Sequence, residues 1–258
     1  MKLRYAGATD VGRKRSHNED RYLVQPEDSL FVVCDGMGGH ASGEIASQLA
    51  VDELGQFFRQ TGADAEVTWP YKPDHRLADP EGRLAVGIKW ANFQVFDKAG
   101  SSLQFKGMGT TCVSLYVFDS KIAIAHVGDS RCYRLRDGRI EQMTVDHSLL
   151  EEYKKLAQIT EEEIKNFPHK NIIVRALGMK ETVAVDTRVE DLKAGDTYLL
   201  CCDGLSGEIE DSEMLAVVRE QGHDLERCCK ELIERANRHG GRDNITVVLV
   251  RAEDERKG

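Results

Sequence analysis

Four aspartates stand at the ends of short apolar segments that are predicted to be β-strands. Asp35 and Asp203 each follow such a segment and precede a glycine, in the matching phrases Val-Val-Cys-Asp-Gly and Leu-Cys-Cys-Asp-Gly. Asp129 lies just after a third segment, and Asp243 lies just before a fourth. A carboxylate at a strand end is held on a rigid element, and a neighbouring glycine lets other ligands approach closely. If these ends meet, they form an all-oxygen site of the kind that Mg²⁺ or Mn²⁺ prefers.

A single Asp-Gly pair is most often a hairpin turn with no chemical role. Four aspartates at predicted strand ends, two of them in matching phrases, favour one shared site over four separate turns. The acidic runs at residues 161–163 and 253–255 are instead expected to be solvated surface.

The elements that would position these aspartates are predicted from the spacing of apolar residues. Helical spacing is found over residues 42–60, 82–99, 211–219 and 224–237. Short β-branched or aromatic runs predict strands over residues 30–34, 112–118, 122–127, 131–135, 197–202 and 245–250. Turn residues separate three of these strands, so residues 111–136 are predicted to form antiparallel meanders. Because helices come in pairs and strands in clusters, we expect two packed sheets with helices outside rather than a doubly wound parallel sheet.

Composition limits the class of protein. The chain has 258 residues, with 35 Lys and Arg against 44 Asp and Glu, which gives a formal net charge of −9. This acidic balance argues against a general nucleic-acid or membrane-surface binder. No apolar stretch approaches the ~18 residues of a membrane helix, and the N-terminus lacks the apolar core of a signal peptide. The seven cysteines form no Cys-x-x-Cys motif, so we expect buried, reduced thiols in a cytoplasmic protein.

No long linker or low-complexity tract divides the chain, and we expect a single domain over residues 1–258. Three of the five prolines fall between residues 70 and 80, so residues 61–81 are predicted to form a long surface loop between two helices.

Eight short motifs follow one another over essentially the whole chain. They are Gly12-x-x-Arg15-x-x-Asn18-Glu19-Asp20, Asp35-Gly-Met-Gly-Gly-His40, Gly109-Thr-Thr111, Val127-Gly-Asp-Ser-Arg131, Asp146-His-Ser148, Arg175-Ala-Leu-Gly178, Cys202-Asp-Gly-Leu205 and Arg242-Asp-Asn-Ile-Thr246. Several are weak alone, but their combination and order are specific. In this order the motifs resemble the metal-dependent Ser/Thr protein phosphatases of the 2C type, in their compact bacterial form.

The resemblance implies an α+β fold, a four-layer αββα sandwich of two antiparallel sheets flanked by helix pairs, with metals at one end. It implies that Asp35, Asp203, Asp243 and the carbonyl of Gly36 hold two Mn²⁺ or Mg²⁺ ions. Asp129, together with Asp203, would bind a weaker third ion. Two divalent ions lower the pKa of a water molecule and neutralise charge on a phosphate, which is the chemistry that phosphomonoester hydrolysis needs.

Three further residues receive roles from the same resemblance. Asp20 would lie behind the metals and accept hydrogen bonds from their waters. Arg15 would clamp the substrate phosphate, since a guanidinium fork matches two phosphate oxygens. His40 would protonate the leaving Ser or Thr oxygen. Simpler interpretations stay open: a turn acceptor for Asp20, a solvated basic surface for Arg15 and a helix cap for His40.

The activity implied is hydrolysis of phosphoserine and phosphothreonine in proteins by a water activated at the binuclear centre. The expected partners are phosphoproteins, including a Ser/Thr kinase, with no nucleic acid and no membrane, and the expected state is a monomer. Three alternatives remain open. They are a catalytically weak relative that acts as a regulatory binding module, a structural cation-binding protein, and a phosphatase of another substrate class, such as one acting on an anti-sigma antagonist.

Residues 147–172 correspond in the family to a flap beside the site, and their mostly polar composition fits a segment that can move. Val174 stands where the family commonly has a Thr, so a hydroxyl contact there is lost. His147 of the Asp-His-Ser motif is expected to serve a structural turn and is not included among the catalytic residues.

Overall fold

The computed structural model describes residues 1–38, 42–63, 79–156 and 172–254, together with residues 164 and 167. His40, the middle of the predicted loop (residues 64–78) and most of the second half of the predicted flap therefore lie outside the described residues.

The described residues form strands and helices in mixed order. The strands are β1 (Lys2–Asp10), β2 (Asp20–Gln25), β3 (Leu30–Met37), β4 (Gly109–Thr110), β5 (Cys112–Phe118), β6 (Lys121–Val127), β7 (Arg131–Arg136), β8 (Arg139–Gln142), β9 (Asp186–Asp191), β10 (Thr197–Cys201) and β11 (Ile245–Glu253). The helices are α1 (Ser42–Ala63), α2 (Asp79–Ser101), α3 (Leu149–Leu156), α4 (Asp203–Ser206), α5 (Asp211–Gln221) and α6 (Leu225–His239).

The strands form two antiparallel sheets. One has the order β1-β11-β10-β7-β8, and the other has the order β2-β3-β5-β6-β9, with β4 paired to β3. One apolar cluster lies between the sheets, a second joins the first sheet to α5 and α6, and a third joins the second sheet to α1 and α2. The predicted four-layer αββα sandwich is confirmed.

Continuous apolar runs become central strands because both of their faces are buried. In β3, Leu30 and Val32 pack toward α1 and α2, whereas Phe31 and Val33 pack between the sheets. Fully burying such side chains contributes roughly 1.5–3 kcal/mol each. The same alternation in β11 places Val248 between the sheets and its neighbours under α6. β3 carries Asp35 near its end and β11 begins two residues after Asp243, so these two aspartates are attached to strands that are buried on both faces.

The helix pairs follow the predicted apolar stripes. Asp224 caps α6 as expected, and its side chain accepts a hydrogen bond from the Arg227 backbone N–H at 3.1 Å. Residues 61–63 and 79–81 belong to α1 and α2, so the predicted loop is too long at both ends. No helix among the described residues combines the length and the apolar character that crossing a bilayer requires.

The predicted antiparallel meander over residues 111–136 is half wrong. β5 and β6 form the expected hairpin through Asp119, whose φ is +49°. However, β6 pairs with β5 and β9, whereas β7 pairs with β10 and β8 in the other sheet. The Gly128-Asp129 segment is therefore a crossing between sheets and not a hairpin turn, which places Asp129 at the end of the sandwich where both sheets meet.

Candidate metal centre

The ends of strands from both sheets meet at one end of the sandwich. Asp20 begins β2 and Asp35 lies near the end of β3, directly opposite it in the ladder. In the facing sheet, Asp203 follows β10 and Asp243 precedes β11, and these two strands are antiparallel neighbours. Asp129 follows β6. The structure thus brings together all five aspartates that the sequence singled out.

The electrostatics of the cluster show how close these groups lie. Burial raises the pKa of Asp35 well above its usual range, and the charges of Asp20, Asp203, Asp129 and Asp243 raise it further. Burial, with the charges of Asp203 and Asp243, raises the pKa of Asp20 to about 7. Burial and the charge of Asp203 likewise raise the pKa of Asp129 to about 7. Burial and then the charge of Asp243 raise the pKa of Asp203. Like charges held together in a poorly solvated site must be balanced by bound protons or by cations.

Two buried oxygens in this cluster have no hydrogen-bond partner within the described part of the chain. They are Oδ1 of Asp20 and Oδ1 of Asp129. The other oxygen of Asp20 accepts a hydrogen bond from Thr246 Oγ1 at 2.6 Å. Buried carboxylate oxygens normally have partners, and hard divalent cations accept such oxygens as ligands. The donor set therefore fits Mn²⁺ or Mg²⁺.

Gly36 is held in a narrow space between backbone segments. A Cβ at this position would lie 2.1 Å from the Gly43 carbonyl oxygen and 2.5 Å from that of Glu19. The Gly36 N–H donates to the Glu19 carbonyl at 3.2 Å. Only glycine fits at this position, directly after Asp35.

The Gly-Thr-Thr motif holds the backbone of Asp35. The Asp35 N–H donates to Thr111 Oγ1 at 2.9 Å, and the Thr111 N–H donates to the Asp35 carbonyl at 2.8 Å. Thr110 Oγ1 donates to the same carbonyl at 2.9 Å. Thr111 Oγ1 also contacts Ser130 Oγ at 2.7 Å, next to Asp129. The motif therefore fixes two of the site aspartates relative to each other, a role that its sequence does not indicate.

Asn244 fastens the segment that carries Arg15. Its Nδ2 donates to the carbonyls of Val11 and His17 at 3.0 and 2.9 Å, and its Oδ1 accepts from the Glu19 N–H at 2.8 Å. Asn244 is 4% exposed. Sequence reasoning gave it no role, although its position beside Asp243 in the Arg-Asp-Asn motif was the available signal.

Arg15 lies at the rim of the cluster. Its Nη2 donates to Asp243 Oδ2 at 2.6 Å, and its side chain is 49% exposed. Burial lowers the pKa of Arg15, but the charge and hydrogen bond of Asp243 outweigh this and raise the pKa above its usual value. The guanidinium is thus charged, anchored at one end and open to solvent, where an anionic ligand can reach it.

Cys202 is a neighbour that sequence reasoning did not place in the site. Its Sγ and a carboxylate oxygen from each of Asp20 and Asp35 lie within 4.8 Å of one another. It is buried and unpaired, as predicted, and its Sγ donates to the Asn244 carbonyl at 3.3 Å and accepts from the Thr246 N–H at 3.1 Å. Burial raises its pKa well above the usual value, so the thiol is neutral and supports the site through these backbone contacts.

Comparison with known proteins identifies the family. The family model described as protein phosphatase 2C matches residues 10–249. The chain belongs to the protein phosphatase 2C family. The serine/threonine phosphatase stp of Listeria welshimeri is 38% identical to this 2C phosphatase over 257 residues, which cover 97% of this chain and 96% of the relative.

Solved structures of the family share the fold closely. The serine/threonine phosphatase PstP/Ppp of Mycobacterium tuberculosis is 34% identical, with a TM-score of 0.84 over 98% of this chain and 99% of that chain. The catalytic domain of a phosphatase PstP in complex with two manganese ions is 33% identical, with a TM-score of 0.80 over 98% of this chain and 99% of the other.

The family, the fold and the enzyme class predicted from the motifs are confirmed. This 2C phosphatase is a metal-dependent protein serine/threonine phosphatase, and the manganese in its structural relative agrees with the expected Mn²⁺ or Mg²⁺ requirement.

Proposed function

We propose that this phosphatase holds two divalent cations with Asp35, Asp203, Asp243 and the carbonyl of Gly36, and a weaker third with Asp129 and Asp203. One observation carries the assignment. The buried carboxylates raise one another's pKa values, and Asp20 and Asp129 each keep a buried oxygen without a partner among the described residues. Bound cations would balance these negative charges. The unpaired oxygens would then coordinate a cation directly or accept a hydrogen bond from a water that a cation binds.

The bound cations would supply a water of lowered pKa and neutralise charge on the phosphoryl group. Asp20 does not face solvent, because it is 0% exposed and Thr246 fixes one of its oxygens. Its second oxygen is therefore placed to accept a hydrogen bond from a water in the centre. We assign it the role of orienting that water.

Arg15 would bind the substrate phosphate. Its contact with Asp243 fixes one guanidinium nitrogen at the edge of the carboxylate cluster. The exposed remainder of the fork presents N–H groups to a phosphate entering from solvent, and two parallel N–H···O bonds would orient it. His40, which lies outside the described residues, stays the proposed proton donor to the leaving oxygen.

The substrates are phosphoproteins, and we propose that a Ser/Thr kinase is among them. We further propose a monomer that works in the reducing cytoplasm. The seven cysteines are all unpaired thiols, which supports a reducing compartment. The net charge of −9 opposes nucleic-acid binding. Light scattering coupled to size exclusion tests the monomer directly, since a mass near 28.9 kDa is expected and twice that mass would contradict it.

A phosphopeptide assay tests the function. We expect phosphate release from phosphoserine and phosphothreonine peptides in Mn²⁺, none in EDTA, and much slower release from a phosphotyrosine peptide. Turnover in EDTA would contradict the proposed metal chemistry. Bound Mn²⁺ without turnover of any phosphopeptide would instead favour the regulatory binding module. Fast turnover of small phosphomonoesters alone would favour another substrate class.

A further inference from the structure

His147 and Gly128 bind each other through two hydrogen bonds. The Gly128 N–H donates to His147 Nδ1 at 3.0 Å, and the His147 N–H donates to the Gly128 carbonyl at 2.9 Å. Gly128 immediately precedes Asp129. His147 is 1% exposed, so both bonds are shielded from water. One residue thus holds, through its side chain and its backbone, the segment that carries a proposed metal ligand.

The Gly128-Asp129 turn has a conformation that needs outside support. Gly128 has a φ of +108°, and a Cβ there would lie 2.6 Å from Thr111 Cγ2. A glycine is free to leave such a conformation. On the other side of the turn, Arg131 binds Asp146 through both carboxylate oxygens, with Nε and Nη2 contacts of 2.9 and 2.7 Å. The turn is therefore fastened to residues 146–147 at two points.

The His147 ring is itself fixed from behind. The bond from Gly128 needs a lone pair on Nδ1, which leaves the ring hydrogen on Nε2, 3.3 Å from Asp186 Oδ2. Asp186 also accepts from Arg175 Nη1 at 2.5 Å. The His126 ring stacks on His147 with a centroid distance of 4.7 Å and an interplanar angle of 15°. The contacts with Gly128, Asp186 and His126 together fix the orientation of the His147 ring.

The same side chains have the spacing of a metal site, since His126, His147 and Asp186 offer ligand atoms within 4.8 Å of one another. However, Arg175 Nη1 lies 3.0 Å from His147 Nε2, and His126 Nε2 contacts the Val145 carbonyl at 2.8 Å. A guanidinium already supplies positive charge at this point. The cluster is therefore better explained as a support for His147 than as a second metal centre.

We propose that His147 is a positioning residue for Asp129. Through Gly128 it fixes the turn that presents the Asp129 carboxylate, and Asp186 fixes His147. This inference rests on the proposed function, because it takes Asp129 to be a ligand of the weaker third cation. Groups that orient metal ligands typically contribute about 10- to 100-fold to metal affinity. Loss of the bond from the Gly128 N–H to the His147 side chain should therefore weaken the binding of the third cation and leave the other two unaffected.

Two substitutions of His147 separate its two contacts. In His147→Asn the Oδ1 is attached to Cγ, as Nδ1 is in histidine, so it can still accept from Gly128. In His147→Gln the amide extends one carbon further and can reach Asp186 but not Gly128 in the same way. Mn²⁺ binding to the EDTA-stripped, dialysed protein is measured by electron paramagnetic resonance of free Mn²⁺, with Asp129→Asn as reference.

We expect both His147→Gln and Asp129→Asn to weaken the weakest Mn²⁺ site about tenfold and His147→Gln to leave the tighter sites unchanged. His147→Asn should stay within about threefold of wild type. Equal losses in the two His147 variants, or an unchanged weakest site in His147→Gln, would overturn the inference.

Asp186→Asn leaves His147 in place and serves if His147→Gln does not fold. It should weaken the same site about threefold, and no change would contradict the inference. Failure of the proposed function is distinguishable from these outcomes, because Asp129→Asn itself would then bind Mn²⁺ like wild type.

Discussion

Asp20 lies directly opposite Asp35 across the β2–β3 ladder, so adjacent strands bring two carboxylates to one point. Cross-strand pairs of like charge are unfavourable, and in this pair Asp20 is fully buried and Asp35 is half-buried. The two carboxylates can occupy these opposite positions when bound protons or cations balance their charge. The arrangement therefore links the stability of the fold to pH and to divalent metal.

The metal-free protein should lose stability as pH rises. Asp20 and Asp129 have folded-state pKa values of about 7, above the unfolded value of ~3.9. The folded state thus binds more protons, so their stabilisation is complete below about pH 4 and is lost as pH rises through 7. We expect urea unfolding of EDTA-treated protein to show a free energy of unfolding at least ~2 kcal/mol lower at pH 8 than at pH 5. Added Mn²⁺ should remove most of this difference, and a metal-free protein that is more stable at pH 8 would contradict the account.

Arg15→Lys should impair substrate binding although the charge is kept. A lysine ammonium cannot form the two parallel bonds of a guanidinium fork. We expect kcat/KM on a phosphothreonine peptide to fall about 10- to 100-fold, with Mn²⁺ binding little changed. Arg238→Lys is the matched control, since Arg238 is 59% exposed and pairs with Glu231 on α6. Equal effects of the two substitutions would argue against the assigned role.

Asn244→Ala should destabilise the protein and misplace Arg15. The change leaves the carbonyls of Val11 and His17 and the N–H of Glu19 without their partner. A hydrogen bond typically contributes about 0.5–1.5 kcal/mol, and three such bonds are lost, so we expect the free energy of unfolding to fall by ~3 kcal/mol. Chemical denaturation followed by circular dichroism measures this change. A loss below ~1 kcal/mol would show that water replaces the side chain.

Gly36→Ala should be among the most damaging small substitutions. The new methyl group would meet the Gly43 and Glu19 carbonyls at 2.1 and 2.5 Å, and both belong to backbone that cannot move without shifting α1 or the segment of Arg15. We expect a loss of more than ~3 kcal/mol or insoluble protein. Gly100→Ala, where nothing lies within 4 Å of the added carbon, is the control and should be tolerated.

Five of the six strands that the sequence predicted are largely buried on both faces. β3, β5, β6, β10 and β11 are continuous apolar runs, and such runs have a single plausible position in a sandwich. β1 and β9 were not predicted, because their residues are mostly half-exposed and polar residues interrupt their patterns. The crossing at Gly128-Asp129 resembles a hairpin turn locally, and only pairing with distant strands distinguishes the two.

The aspartates of the site could be predicted from the sequence, but the residues that hold them in place could not. Asp35, Asp203 and Asp243 follow from strand ends and motif order, which are local features. The groups that hold them act across long stretches of chain. Thr111 binds Asp35 over 76 positions and Asn244 binds His17 over 227. His147 was assigned to a structural turn because nothing near it in sequence indicates the contact with Gly128.

The central claim is that the clustered carboxylates hold the cations that phosphate hydrolysis needs. Asp203→Asn tests it most directly, with Mn²⁺ binding and phosphothreonine turnover measured on the same sample. Glu234→Gln, at a residue that is 64% exposed on α6, is the control. We predict that Asp203→Asn lowers turnover at least ~100-fold and weakens Mn²⁺ binding while the control matches wild type. Full turnover and unchanged Mn²⁺ affinity in folded Asp203→Asn would contradict the account.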